Sequence, residues 1–204
     1  MSTVCPINFD VEQLKSEVRA IYSQVADDPN GDFHFHRGMD YATNMLGYDR
    51  AALEGLPPRA TARLCGTGNP HKMGRLPEGA TVVDIGSGAG MDCLLAAQQV
   101  GPEGQVIGID MTDAMLENAR LAAREAGLAN VRFEKAEMTK LPLPDASVDV
   151  VISNGVINLA PDKLAVFSEL FRVLKPGGRL QFADITLKLE LSEKARNDID
   201  LWTG

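Results

Sequence analysis

Between residues 84 and 90 the chain reads Asp84-Ile85-Gly86-Ser87-Gly88-Ala89-Gly90, an acid followed by three alternating glycines. Without Cβ atoms such a loop lets backbone approach a ligand closely, and a helix that follows adds unpaired N–H groups, so a nucleotide-like ligand is expected there. Asp110 comes 20 residues after Gly90, where a strand-ending carboxylate can accept both hydroxyls of a ribose. Glu137 and Met138 follow the next apolar run and are placed to border a purine, the carboxylate receiving its exocyclic amine and the thioether packing on its face. The alternatives are a solvent-facing Glu and a core Met. A nicotinamide fingerprint requires GxGxxG/A, but here the third glycine falls one residue early, at Gly90, and bulky Met91 occupies the helix-packing slot. That spacing argues against NAD and an oxidoreductase.

The remaining chemistry-bearing residues are sparse. Cys5, Cys65 and Cys93 are three, with no CxxC and no Cys/His cluster, so neither a disulfide framework nor a metal site is expected and the thiols are reduced. Cys93 is expected to pack as a small apolar side chain, and Cys5 lies in the N-terminal tail. His34 and His36 would point the same way on an extended segment, but two ligands without a third do not hold a metal. Phe33 and Phe35 are expected to pack against the domain while the imidazoles face solvent or a pocket mouth, and His71 reads as a loop residue. If a general base operates, these three histidines are the candidates.

Those residues need elements to position them. Val11, Leu14, Val18, Ile21, Tyr22 and Val25 recur at spacings of three and four, which makes Asp10–Ala26 one amphipathic helix, with Asp10 and Gln13 resembling a capping box. From Asp27 to Lys72 prolines and glycines break the period, leaving short helices near Met39–Leu46 and Arg50–Leu56 in an irregular cap. Beyond Leu76 the pattern alternates. Strands are expected at Thr81–Ile85, Val106–Ile109, Val131–Glu134, Val148–Ser153 and Leu180–Asp184, and helices at Met91–Val100, Asp113–Ala126 and Asp162–Leu174. Continuous Val/Ile runs alternating with helices imply a parallel sheet covered on both faces, with right-handed crossovers. Thr112 is the expected N-cap of its helix, Pro161 an N1 proline, Gly127 a C′ glycine and Pro176-Gly177-Gly178 a stop.

The expectation is therefore a Rossmann-like, doubly wound, mostly parallel α/β sheet, with residues 1–75 as an N-terminal cap and 76–204 as the ligand-binding domain. Its helix-like end, Lys194 to Trp202, suggests a domain truncated at its C-terminus with strands missing. The sheet edge after the fifth strand is then a surface another chain could cover; no oligomeric state follows from the sequence.

Composition narrows the partners. With 20 Lys+Arg against 28 Asp+Glu the net charge is −8, which disfavours nucleic acid. The longest stretch free of charged residues, Val150–Pro161, is 12 residues, too short for a membrane span of about 20. Asp10, Glu12 and Lys15 interrupt the place of a signal-peptide core, so a cytoplasmic protein acting on a small molecule is expected.

The run Asp84–Gly90, the acid in Gly108-Ile109-Asp110-Met111-Thr112, Leu141-Pro142 before Val148-Asp149-Val150-Val151, and Leu174-Lys175-Pro176-Gly177-Gly178 together resemble the class I S-adenosylmethionine-dependent methyltransferases. Gly90-Met91-Asp92-Cys93 and Ser153-Asn154-Gly155-Val156-Ile157-Asn158-Leu159 resemble the arsenite methyltransferase branch, over about Gly66 to Trp202. The resemblance implies S-adenosylmethionine as cofactor. Asp84, Gly86, Ser87, Gly88 and Gly90 would hold its amino-acid part, Asp110 with Met111 its ribose end, and Glu137 with Met138 its adenine, while Asn154 would line the methyl pocket. In that branch cysteine thiolates capture As(III), soft ligands for a soft centre. This chain departs from the pattern: Thr67 stands in Gly66-Thr67-Gly68-Asn69-Pro70, and Gly155 after Asn154, where the branch has cysteines; a third would fall beyond Gly204. Cys65, two residues before Thr67, is a single substitute at the same pocket. The implied activity is methyl transfer to a small molecule, arsenite-like, with a small organic acceptor or a non-catalytic cofactor-binding fragment as alternatives.

Overall fold

The computed structural model describes residues 10–186. Cys5 and the helical pattern near Lys194 to Trp202 lie outside the described residues. Five strands form one parallel sheet in the order β3-β2-β1-β4-β5: β1 Thr81–Ile85, β2 Gln105–Asp110, β3 Val131–Lys135, β4 Val148–Asn154 and β5 Leu174–Ala183. The helices are α1 Val11–Asp27, α2 Gly38–Tyr41, α3 Arg50–Glu54, α4 Pro58–Thr61, α5 Met91–Val100, α6 Asp113–Glu125 and α7 Lys163–Val173.

Strand order follows from burial on both faces. Val82, Val106 and Val150 face α5, α6 and the cap helices, while their neighbours Val83, Ile107 and Val151 face α7 and Leu141. Side chains alternate across a strand, so only unbroken Val/Ile runs can satisfy two apolar layers at once. The outer strand β3 instead alternates buried Phe133 with charged Arg132 and Glu134, the pattern of a strand with one face on the core and one toward water. The chain leaves β1 in one direction for β2 and β3 and reverses to place β4 and β5 on the other side. The carboxyl ends of β1 and β4 therefore diverge at the switch point, where open α/β sheets bind ligands. Register brings Ile85 level with Ile109 and Ser153, so the loops after β1, β2 and β4 open on one rim.

Cap and sheet share one core: Ala42, Tyr48, Leu53, Leu56 and Ala60 belong to the same buried cluster as Val82, Met91, Leu94 and Val150. Local signals are partly corrected. α1 is capped by Asp10, which accepts from the Glu12 N–H at 2.9 Å. α6 ends on Gly127 at φ +66°, with the Gly127 and Leu128 N–H groups donating to Arg124 O and Ala123 O, a Schellman closure. Pro161, expected at N1, lies before the true cap: Asp162 accepts from the Ala165 N–H at 2.9 Å and opens α7. Thr112 occupies the N-cap of α6 as expected, with extended backbone, although its side chain makes no cap bond. Pro176-Gly177-Gly178 does not precede the fifth strand but lies inside it. β5 starts at Leu174 and absorbs the three residues through a register shift opposite Val148–Val150, with Gly177 at φ +81°. The expected Met39–Leu46 helix is α2 continued by a wider π-type turn over Ala42–Leu46. α4 and the tight helical turn Pro70–Met73 carry too few residues for periodicity to reveal them.

Candidate active site

β1 delivers Asp84 to the rim, and the loop then doubles back under the tip of β2. The Gly86 and Ser87 N–H groups donate to Ile109 O at 2.8 and 3.0 Å, and the Gly88 N–H donates to Asp110 Oδ2 at 2.9 Å. Asp110 Oδ1 accepts from the Thr112 N–H at 2.8 Å, so one carboxylate ties the glycine loop to the start of α6. Two glycines answer different demands. Gly90, at φ +88°, packs so closely that a Cβ would sit 2.8 Å from Phe133 Cζ and 3.2 Å from Ala119 Cβ. Gly88, at φ +52°, faces open space: a Cβ would meet nothing within 4 Å. That gap is where a ligand's atoms can approach backbone. The Ser87 Oγ beside it is buried without a hydrogen-bond partner.

The acids are unequal. Burial, reinforced by neighbouring Asp92, pushes the Asp84 carboxyl well above the usual carboxylate range, while the Cys93 thiol donates to its Oδ2 at 3.2 Å. Burial also raises Asp110, against the lowering effect of the Thr112 and Gly88 N–H groups. A cationic ligand is the natural complement to such a pair, because it favours both carboxylates in their charged form.

A cavity of about 810 Å³ opens from this rim. Asp84, Gly86, Ser87, Gly88, Asp110 and Met111 line one end, with Glu137 and Met138 beside them; Asn154, Gly155 and Cys65 line the other. Of the residues expected from the sequence to hold the cofactor or line the methyl pocket, Gly90 and Thr67 do not line it. Gly90 is packed on Phe133, and Thr67 is packed on Gly155, whose Cβ would lie 2.9 Å from Thr67 Cγ2. The Thr67 Oγ1 is buried and unpartnered. Burial pushes the Cys65 thiol up to about 12, so it is uncharged at neutral pH, and its Sγ–H donates to Arg63 O at 3.4 Å. Glu137 accepts from Lys15 Nζ at 2.8 Å.

That ion pair belongs to a lid that sequence periodicity could not assign. The apolar face of α1 was legible, but not its target: Leu14 and Val18 pack with Leu159 and Met111, and Val25 packs with Ala89 and Met115, across the cavity mouth. The meeting of Asp92, Tyr48 and His71 also escaped sequence reasoning. Asp92 reads as an ordinary acid in a helix first turn, yet it is 5% exposed and accepts from Tyr48 Oη at 2.8 Å and Asn154 Nδ2 at 3.2 Å, with His71 Nε2 at 3.1 Å. His71 is thus no free loop residue. Nor do His34 and His36 form a pair: their rings rest on Phe35 and Tyr41, at centroid distances of 5.2 and 5.4 Å. Phe33 and Phe35 do pack the cap, beside Val25, Ala26 and Cys65. Cys93 is buried among apolar side chains but also holds Asp84. Among the described residues no group of three or more His, Cys, Asp or Glu could hold a metal, both cysteines are free, and no helix is long and apolar enough to cross a membrane.

Strand order 3-2-1-4-5, an acid-led glycine loop after β1 and a carboxylate at the tip of β2 define the class I S-adenosylmethionine-dependent methyltransferase fold, with S-adenosylmethionine as its cofactor. The chain belongs to the methyltransferase domain family, which matches residues 76–203. It is 45% identical over 159 residues to an arsenite methyltransferase of Halobacterium salinarum, covering 78% of this chain and 40% of that protein. Among solved structures, an arsenic(III) S-adenosylmethionine methyltransferase from Chlamydomonas reinhardtii superposes with a TM-score of 0.67 at 40% identity, covering 76% of this chain and 56% of that one. A SAM-dependent methyltransferase from Aquifex aeolicus gives 0.52 at 26% identity, over 83% of this chain and 69% of the other. The chain spans about half the length of the curated relatives it matches, from 40% to 53%.

Proposed function

We propose that this chain transfers a methyl group from S-adenosylmethionine to a small acceptor in the cytoplasm, with residues 76–204 carrying the cofactor and residues 1–75 supplying the acceptor-side wall. The observation that carries the reading is the open space at Gly88, flanked by buried Asp84 and Asp110 in the cavity. In this reading Asp84 and the loop hold the amino-acid end, Asp110 the ribose, and Glu137 with Met138 the adenine. When bound, the cofactor supplies a methyl group already activated on a sulfonium.

The chain's own contribution is then alignment and exclusion of water, which Leu14, Val18 and Tyr22 of α1 provide by closing the mouth. None of the three histidines lines the cavity, so they are not the general base considered from the sequence. The relatives' names make arsenite the first acceptor to test. A second reading, an organic acceptor, is favoured by Thr67 and Gly155 themselves: these residues stand where the arsenite branch carries thiolates and neither bears one, leaving Cys65 as the one thiol at the cavity among the described residues. Calorimetry with S-adenosylmethionine and S-adenosylhomocysteine tests the cofactor site, and absence of heat with both refutes the proposal. Methylation of arsenite in excess glutathione then separates the two acceptor readings.

A further inference from the structure

Donors from three separate segments converge on Asp92, in the first turn of α5: Tyr48 from the cap, His71 from the turn before β1, and Asn154 from the tip of β4. His71 is held from behind. Gln99 Nε2 donates to its Nδ1 at 3.0 Å while Gln99 Oε1 accepts from the Leu76 N–H at 3.3 Å, which leaves the ring proton on Nε2, facing the carboxylate. Asn154 passes the constraint onward. Its Nδ2 also donates to Gly68 O at 2.9 Å, and its Oδ1 accepts from the Thr67 and Gly68 N–H groups at 2.9 and 3.0 Å. A Cβ on Gly66 would lie 2.2 Å from Asn154 Nδ2, so the Gly66–Gly68 turn is wrapped directly round the amide.

The amide has one usable orientation. Reversed, it would point its oxygen at the Asp92 carboxylate and its NH2 at two backbone N–H groups. Asp92 sits beside Asp84, so two buried carboxylates share one neighbourhood, an arrangement that apolar packing of equal volume would avoid. Stability alone does not explain it.

We propose that Asp92 is a positioning residue for methyl transfer: acting through Asn154, it fixes the Gly66–Gly68 turn and so holds Gly66, which with Cys65 and Gly155 lines the acceptor side of the cavity. This rests on the methyl-transfer reading above. Asp92 itself lines the cavity beside Asp84; in this reading its carboxylate acts by selecting the Asn154 orientation, and the amide selects the turn.

Two measurements on the full chain test it. Hydrogen exchange should show the Thr67 and Gly68 amides protected, and Asp92→Asn should lower their protection about tenfold or more while β1 amides change less than about twofold. Tyr48→Phe, which keeps the ring, should give a smaller loss at the same two amides and serves if Asp92→Asn does not fold. In parallel, initial rates with arsenite in excess glutathione should show kcat/KM for arsenite falling about tenfold in Asp92→Asn, with KM for S-adenosylmethionine within about threefold, and little further loss when Asp92→Asn is added to Asn154→Ala. Equal loss of protection in β1, unchanged Thr67 and Gly68 protection, or multiplicative effects of the two substitutions would overturn the proposal. If wild type methylates no arsenite, that acceptor fails and exchange alone decides the role of Asp92.

Discussion

Replacing Gly88 and Gly90 separately by alanine distinguishes a glycine kept for a ligand from one kept for packing. Both have positive φ, +52° and +88°, so each alanine carries the left-handed penalty of about 1–2 kcal/mol. At Gly88 nothing lies within 4 Å of the new methyl, and the penalty stops there. For a domain of this size about 1 kcal/mol lowers Tm by roughly 2–4 °C. At Gly90 the methyl would press on Phe133 at 2.8 Å and Ala119 at 3.2 Å, and Phe133, 7% exposed, has little room to yield. Overpacking adds about 1–3 kcal/mol, so Gly90→Ala should lose roughly 2–5 kcal/mol. Cofactor affinity should show the opposite emphasis: the Gly88→Ala methyl enters the space assigned to the ligand and should weaken S-adenosylhomocysteine binding at least about tenfold, or 1.4 kcal/mol. Thermal unfolding and calorimetry on the two variants suffice. Gly88→Ala binding within about threefold of wild type would refute the placement of the ligand in that gap, and equal Tm values would refute the packing account of Gly90.

Burial holds Asp84 well above the usual carboxylate range, and a bound cation favours its ionised form. S-adenosylmethionine binding should therefore release protons and tighten as pH rises toward the raised value; calorimetric heats should depend on the buffer's ionisation enthalpy, and buffer-independent heats would contradict this. With its thiol near 12, Cys65 has a thiolate fraction of about 10⁻⁴ at pH 8, so iodoacetamide should modify it roughly a thousandfold more slowly than an ordinary thiol; a rate near that of free cysteine would show the thiol is not buried as described. Leu14→Ala, at a site 1% exposed, should cost about 2–4 kcal/mol and loosen α1 over the cavity, seen as faster proteolysis near residue 14. Lys15→Met removes two exposed or partly exposed ion pairs, to Glu137 and Glu12, each worth at most about 1 kcal/mol, and should leave cofactor affinity within about fivefold.

Misreadings cluster where two elements meet. Pro176-Gly177-Gly178 carries strong stop chemistry, and the helix does end before it, but pairing with β4 pulls these residues into β5, because a bulge can host what a regular strand excludes. His71 looks like loop filler until α5 brings Asp92 and Gln99 to either side of its ring. Cys93 behaves as the small apolar residue expected of it, yet its thiol also meets Asp84 across the start of α5.

What the amino-acid order alone determined was whatever repeats or is spaced within one or two elements: the alternation of strand and helix, burial on both faces of the sheet, the acid-led glycine loop, and the carboxylate 20 residues beyond it. Those features follow from periodicity and backbone sterics, which are local. Tertiary structure decided that α1 closes the cavity, that Thr67 touches Gly155, and that Tyr48, His71 and Asn154 meet on Asp92. These contacts join segments far apart in the chain. They exist only because the cap packs into the same core as the sheet, and no period or spacing encodes where two such surfaces come to rest.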